Sequence, residues 1–201
     1  MLETERLLLR PFVKEDAEYV YKYASDHETT QYMRFQTHKS IKDSEDIVNF
    51  WVNGNADPHC YNWCIVCKEC SQPVGSIAIN EIVEFHSQGS IGYILRKDHW
   101  NKGLMSEACK RLVRFCFEEL NFQRVECLHS QENPASGRVM VKSGMQFEGT
   151  KKEYFPTDHG YIDCNMYAIT RSRFESLFPY SSVCKQTLHS WAYPKAISAL
   201  S

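Results

Sequence analysis

GSIGYILRKDHWNKGLMS, residues 89–106, reads as one buried strand, a short turn with a single glycine, and the opening of a long helix. Ile91, Tyr93 and Leu95 alternate with Ser90, Gly92 and Ile94, the period-two pattern of a strand. Past the turn, apolar residues recur at 105, 108, 109, 112, 113, 116, 117 and 120, the spacing of an amphipathic helix. Glu107, Lys110, Arg111, Arg114 and Glu118 are left for its other face. A strand–turn–helix unit presents unpaired backbone N–H groups at the helix N-terminus, where the macrodipole favours an anion. The stretch therefore predicts that a cofactor phosphate rests on this turn.

The chain around it has 201 residues, enough for one domain with a sizeable core. A net charge of -2 gives no general electrostatic reason to expect nucleic acid or an anionic membrane as partner. The apolar runs are too short to span a bilayer, and MLETERLLLRPF has no apolar signal region, so the expected compartment is the cytoplasm. Nine cysteines, an odd number with Cys109 and Cys116 on the apolar helix face, are expected as reduced thiols. Cys60, Cys64, Cys67 and Cys70 form the one metal-like run. Cys64 and Cys67 fall at an odd spacing within a strand, which sends them to opposite faces, so no metal is expected there.

Taken in order, ERLLLRP predicts a first strand ended by Pro11, and residues 14–26 and 40–54 predict two helices, the second stopped by Gly54. Strands follow over 61–68 and 73–83, then the quoted strand and helix, then a strand over 124–130. Short strands joined by tight polar turns predict an antiparallel meander. Asn133 suits an N-cap, Pro134 the N1 position, and Gly144 the left-handed position that ends a helix. Strands over 146–155 and 161–170 close the core. The predicted order is β-α-α-β-β-β-α-β-α-β-β, an α/β (α+β) fold with a mixed, largely antiparallel sheet flanked by helices. One domain is expected over 1–172. Residues 173–201 lack clear periodicity and are expected as a tail that packs in part or stays mobile.

Three blocks in this order, ETERLLLRPF, SIGYILRKDHWNKGLMSEA and ENPASGRVMVKSGMQFEGT, resemble the GNAT acetyltransferases. Within them the chain is similar to the branch of ribosomal-protein N-terminal (alanine/serine) acetyltransferases. The resemblance implies acetyl-CoA as donor, no metal, and direct attack of an amine on the thioester. It places the pantetheine arm along the strand Gly89–Leu95 and the pyrophosphate on Asn101–Ser106, with Ile94, Leu95, Arg96, Trp100, Asn101, Lys102, Gly103, Leu104, Met105 and Ser106 as the cofactor-binding residues of this stretch. Of the family's Q/R-x-x-G-x-G/A pattern only Gly103 is kept strictly, and Met105 stands where a small residue is usual. Asn133 matches the position that contacts the cofactor arm.

Many relatives carry a tyrosine at the position of Met140 as general acid for the leaving thiolate. In the ribosomal-protein branch a serine at the position of Ser136 is assigned that work. For the base, the resemblance points to Glu153, and Glu81 is the other candidate, with His99 and Asp163 behind them. An α-amino group titrates near ~7.7–8.0 and a lysine near ~10.4, so a protein N-terminus needs only a modest base. A protein or peptide N-terminus is therefore the expected acceptor. The alternatives are a small amine (a polyamine, an amino acid or an aminoglycoside), or a CoA-binding regulatory domain without catalysis. Acidic residues at Glu28, Asp43, Glu45 and Asp46 would suit a polycationic acceptor. A homodimer is left open.

Overall fold

The protein is described by a computed structural model that covers residues 1–54, 57, 60–157 and 160–179. Its centre is an eight-stranded sheet: β1 (Leu2–Glu3), β2 (Leu7–Arg10), β3 (Tyr61–Cys67), β4 (Gln72–Val83), β5 (Gln88–Leu95), β6 (Arg124–Ser130), β7 (Gln146–Thr157) and β8 (Gly160–Thr170). The order across the sheet is β1-β2-β3-β4-β5-β6-β8-β7. Every neighbouring pair is antiparallel except β5 and β6, which run parallel. The expected meander is β3–β4–β5. The single parallel pair arises because the long helix carries the chain from one strand to the next, as a parallel connection requires.

That helix, α4 (Leu104–Glu118), buries Met105, Ala108, Cys109, Leu112, Val113, Cys116 and Phe117 at the predicted spacing. With α5 (Pro134–Lys142) and α6 (Arg171–Leu177) it covers one sheet face, where the larger core forms from Leu7, Ile65, Ile77, Ile91, Val125 and their neighbours. The smaller core lies on the other face, where α1 (Ala17–Ala24) and α3 (Ile41–Gly54) bring Val20, Tyr23 and Val48 against Cys64 and Ile94. Cys64 and Cys67 therefore sit on opposite faces. Asn133 accepts the Ser136 N–H at 3.2 Å, Pro134 is the first residue of α5, and Gly144 has φ +93, each as the sequence predicts.

The helix expected over 14–26 is broken. Asp16, 2% exposed, accepts from both Arg10 Nη atoms at 2.7 Å and from the Val13 N–H at 2.9 Å. Its side chain thus ties the end of β2 to a 3₁₀ turn over Lys14–Asp16, and α1 starts only at Ala17. A one-turn helix, α2 (His27–Thr30), follows, with Asp26 accepting the Glu28 N–H. The folded unit also runs past residue 172: in α6 Phe174 is buried and stacks on Phe117 with ring centroids 4.6 Å apart. The rest of the expected tail, residues 180–201, lies outside the described residues.

Candidate active site

β5 and β6 keep register only at Gln88↔Arg124, Gly89↔Val125 and Ser90↔Glu126. Beyond Ser90 the strands part, although β5 stays paired with β4 to Leu95 and β6 with β8 to Ser130. Just past the last registered pair the Cys127 thiol donates to the Ile91 carbonyl at 3.0 Å. Arg96 N–H donates to the Val74 carbonyl at 2.7 Å, which sets the parity of the ladder. By that alternation Gly92 and Ile94 turn their backbone groups to β4, while Tyr93 and Leu95 turn theirs into the gap. The Leu95 carbonyl accepts from Trp100 Nε1 at 2.7 Å. The open seam is a strand edge inside a sheet, able to pair with an extended ligand carrying amide groups.

At the end of the seam stands the N-terminus of α4. Gly103 caps it at φ 76, Asn101 is also left-handed at φ 59, and the first helical bond runs from the Glu107 N–H to the Gly103 carbonyl. The amides of Leu104, Met105 and Ser106 thus precede any intrahelical acceptor. Met105 is 6% exposed in the core beneath, so its bulk is turned inward. This turn has a brace that sequence reasoning missed. Arg6 donates from Nε to Glu107 Oε2 at 2.7 Å and from Nη1 to the Lys102 carbonyl at 2.9 Å, and its own N–H reaches Glu107 Oε1 at 2.9 Å. Burial pulls the Glu107 carboxyl upward, but the hydroxyl of Thr4 and the backbone and guanidinium of Arg6 outweigh it and hold the group below its usual range. The first sequence block thus supports the turn of the second.

On the opposite side of the seam α5 delivers Ser136. Its Oγ lies 2.9 Å from the Tyr93 hydroxyl, which is also 3.1 Å from the Ser136 carbonyl. If the Tyr93 proton goes to Ser136 Oγ, the serine proton is left to donate into the cleft. Burial, reinforced by the neighbouring Cys127 and Cys109 thiols and opposed by Ser136, pushes the Tyr93 hydroxyl well above its ordinary range, so the proton stays on tyrosine. Tyr93 reads in the sequence only as a strand residue. The available signal was its hydroxyl, which a buried tyrosine must satisfy.

His129 adds an unpartnered acceptor. It is 7% exposed, and its Nδ1 donates to the Ser130 carbonyl at 2.7 Å, which leaves Nε2 buried with no hydrogen-bond partner among the described residues. Burial lowers its pKa and outweighs the Ser130 and Asn133 backbone groups that raise it, so the ring is neutral. Gly137 makes the space, since a Cβ there would lie 2.8 Å from Nε2. The open edge, the helix N-terminus and this orphaned acceptor all fit a ligand with amide N–H groups at one end and phosphates at the other, as the pantetheine and pyrophosphate of acetyl-CoA would supply.

The cleft joining these parts has a volume of about 840 Å³. Among the residues expected at the site, Ile94, Leu95, Trp100, Asn101, Gly103, Leu104, Met105, Ser106, Asn133, Ser136 and Glu81 line it. Arg96, Lys102 and Glu153 do not. Arg96 is engaged with Asp98 at 2.6 Å, Lys102 is exposed, and Glu153 is exposed on an irregular part of β7 at φ 47. Asp163 is occupied by Lys152 at 2.7 Å and by the Glu153 N–H at 2.9 Å. Across the seam the cleft opens between α1, α3 and the chain joining them, among Phe12, Tyr32, Met33, Phe35, Trp51 and Phe155.

The sequence profile of the acetyltransferase (GNAT) domain matches residues 6–146. An uncharacterised N-acetyltransferase, p20 of Bacillus licheniformis, is 30% identical over 173 residues, covering 86% of this chain and 97% of the relative. A GNAT-family acetyltransferase of Bacillus anthracis has a similar structure, with a TM-score of 0.76 at 29% identity over 84% of this chain and 97% of that one. Two Escherichia coli relatives are named for their acceptors. The ribosomal-protein-serine acetyltransferase is 27% identical over 128 residues (62% of this chain, 71% of the relative), and the spermidine N(1)-acetyltransferase is 21% identical over 141 residues (70% and 73%). The chain belongs to the GNAT family of acetyl-CoA-dependent acetyltransferases.

Proposed function

We propose that this acetyltransferase acts on the α-amino group of a protein or peptide. The observation that carries the reading is the charge balance of the acceptor half of the cleft. The two carboxylates that line it, Glu28 and Glu81, are each paired with a cation: Glu28 with Lys97, and Glu81 with Arg34 at 3.0 Å. Of the other acidic residues that the sequence offered for a polycation, Asp43 and Asp46 are spent on the backbone of Lys39 and Ser40 and on Lys42, and Glu45 is exposed and does not line the cleft. A spermidine-like acceptor carrying several positive charges would meet no surplus of negative charge there. A chain end with one amine and apolar neighbours suits the aromatic walls better.

In this reading Tyr93 and Ser136 deliver a proton to the departing CoA thiolate. Glu81, set in the acceptor half, takes the proton of the attacking amine directly or through a water molecule. Arg34 pairs with that carboxylate at 3.0 Å and also lies 5.7 Å from the centre of the Phe155 ring. An α-amine is already largely neutral near pH 8, so an exposed carboxylate is a sufficient base. The test is CoA release from acetyl-CoA with N-terminal peptides, spermidine and an aminoglycoside in parallel. Peptides should give kcat/KM at least about tenfold above either small amine. Spermidine as the best acceptor would overturn the proposal, and acetyl-CoA binding without turnover on any acceptor would favour the regulatory reading.

A further inference from the structure

Cys67, Cys70 and His99 form a cluster to which the acetyl transfer proposed above assigns no role, although His99, a base candidate from the sequence, also lines the cleft. Cys67 closes β3 and stands opposite Gln72, the first residue of β4, with Cys70 in the turn between them. After β5 the chain is still held against β4 by the Arg96–Val74 bond and then enters a 3₁₀ turn over Lys97–His99. This lays His99 over the β3–β4 turn, where the two sulfurs and a ring nitrogen lie within 4.8 Å of one another. Cys67 and His99 are buried, whereas Cys70 is exposed.

Three properties of this cluster are those of a zinc site. Zinc–sulfur bonds of about 2.3 Å and zinc–nitrogen bonds of about 2.0–2.1 Å in a tetrahedron space the ligand atoms about 3.5 Å apart, so side-chain rotations of about an ångström would close the site. Two thiolates balance the charge of a divalent ion, and sulfur with imidazole selects zinc over magnesium or calcium. His99 Nδ1 lies 2.8 Å from Asp98 Oδ1, and Asp98 is itself held by Arg96 at 2.6 and 2.9 Å. A carboxylate on one ring nitrogen orients a histidine and presents Nε2 to a metal. The cysteine run alone could not specify this set, because Cys64 faces the other core and His99 comes from a different segment.

We infer that Cys67, Cys70 and His99 bind one zinc ion, with a fourth position open to water beside the exposed Cys70. The ion would clip the β3–β4 turn to the segment that runs directly into Trp100 and the Asn101–Gly103 turn. The inference does not depend on which amine is acetylated.

The test titrates the reduced full-length protein with cobalt(II), then displaces it with zinc, following the thiolate-to-cobalt absorption and the visible bands of tetrahedral cobalt. Wild type should saturate at one equivalent and lose the signal to zinc, with the melting temperature raised by zinc. Cys70→Ser changes an exposed turn residue, so it should fold normally, lose the absorption and cancel the zinc-induced shift. His99→Gln should weaken cobalt at least about tenfold. Cys60→Ser should behave as wild type. No thiolate-to-cobalt absorption in wild type, or an unchanged signal in Cys70→Ser, would overturn the inference. Loss of the signal in Cys60→Ser with retention in His99→Gln would overturn it equally, since it would locate the metal on other cysteines.

Discussion

Replacing Arg6 with methionine tests whether the bend between β1 and β2 holds the Asn101–Gly103 turn in shape for a pyrophosphate. Methionine keeps much of the aliphatic stem but removes the donors to Glu107 Oε2 and to the Lys102 carbonyl. Hydrogen bonds to charged groups contribute roughly 1.5–3 kcal/mol each when well shielded. The Arg6 side chain is 46% exposed and Glu107 19%, so screening reduces the pair to about 1–2 kcal/mol of stability. For a chain of this length that is a loss of about 2–8 °C in Tm. The effect on the cofactor is separate. Asn101 and Gly103 hold left-handed backbone, and without the brace binding must order them, at roughly 1–2 kcal/mol per residue at most. Partial loosening therefore weakens acetyl-CoA about tenfold, equivalent to ~1.4 kcal/mol.

The assay compares two donors. Calorimetry gives the Kd of acetyl-CoA, and steady-state rates give kcat/KM for acetyl-CoA and for acetyl-pantetheine, which ends before the pyrophosphate. Arg6→Met should raise the acetyl-CoA Kd and lower its kcat/KM by about tenfold, while acetyl-pantetheine changes by less than about twofold. An equal loss with both donors would mean that the mutation damages the seam or the fold rather than the turn. An unchanged acetyl-CoA Kd at a lowered Tm would refute the brace altogether.

Ser136→Ala should lower kcat by about 10²-fold with little change in acetyl-CoA Kd, the lower end of general-acid effects because a thiolate leaves readily. Tyr93→Phe should cost about tenfold, through Ser136, and steady-state rates on the pair and the double variant should show strong non-additivity. Glu81→Gln should reduce kcat/KM for a peptide at least tenfold, whereas Glu153→Gln should stay within about twofold; the reverse order would return the base to β7. Stability should also fall on mild acidification. Burial lowers the pKa of both His38 and His129 in the folded protein, so below the unfolded value near ~6.5 the unfolded chain takes up more protons. Their contribution is complete above that pH and lost as pH falls through the lowered folded pKa. Tm scanned from neutral to about pH 5 should drop less in a His38→Gln/His129→Gln variant than in wild type.

What the sequence made readable follows from local rules. The α4 spacing, the Asn133 cap and Pro134 at the start of α5 depend on residues a few positions apart, and they stand as read. The missed features link distant segments. Arg6 meets Glu107, Tyr93 meets Ser136, and Cys67 meets His99 only after the sheet is assembled, and no periodicity encodes such pairs. Asp16 shows a long-range bond also overriding a local signal. Its carboxylate looks like a first-turn helix residue but is taken by Arg10, and the helix starts one residue later. Glu153 illustrates a different limit, because it lies within an irregularity of β7 between Lys151 and Phe155, across which period-two reading fails.

The seam itself raises a physical question, since parallel strands with free edges should zip together. Each strand is fixed by its other neighbour: β5 registers with β4 from Val83↔Gln88 to Gly75↔Leu95, and β6 registers with β8 over all seven of its residues. The two partners dictate diverging paths, and β5 and β6 can agree only over the first three residues. Two carbonyls of the β5 edge are met by side chains. Cys127 caps the Ile91 carbonyl, Trp100 caps the Leu95 carbonyl, and the Tyr93–Ser136 pair ties α5 over the gap. The seam is thus held at a fixed width by bonds that cross it, and Tyr93 is a strut in addition to the proton-transfer role proposed for it. A strut requires the double variant Ser136→Ala/Tyr93→Phe to weaken acetyl-CoA binding as well as slow turnover. A purely chemical role would leave the Kd unchanged.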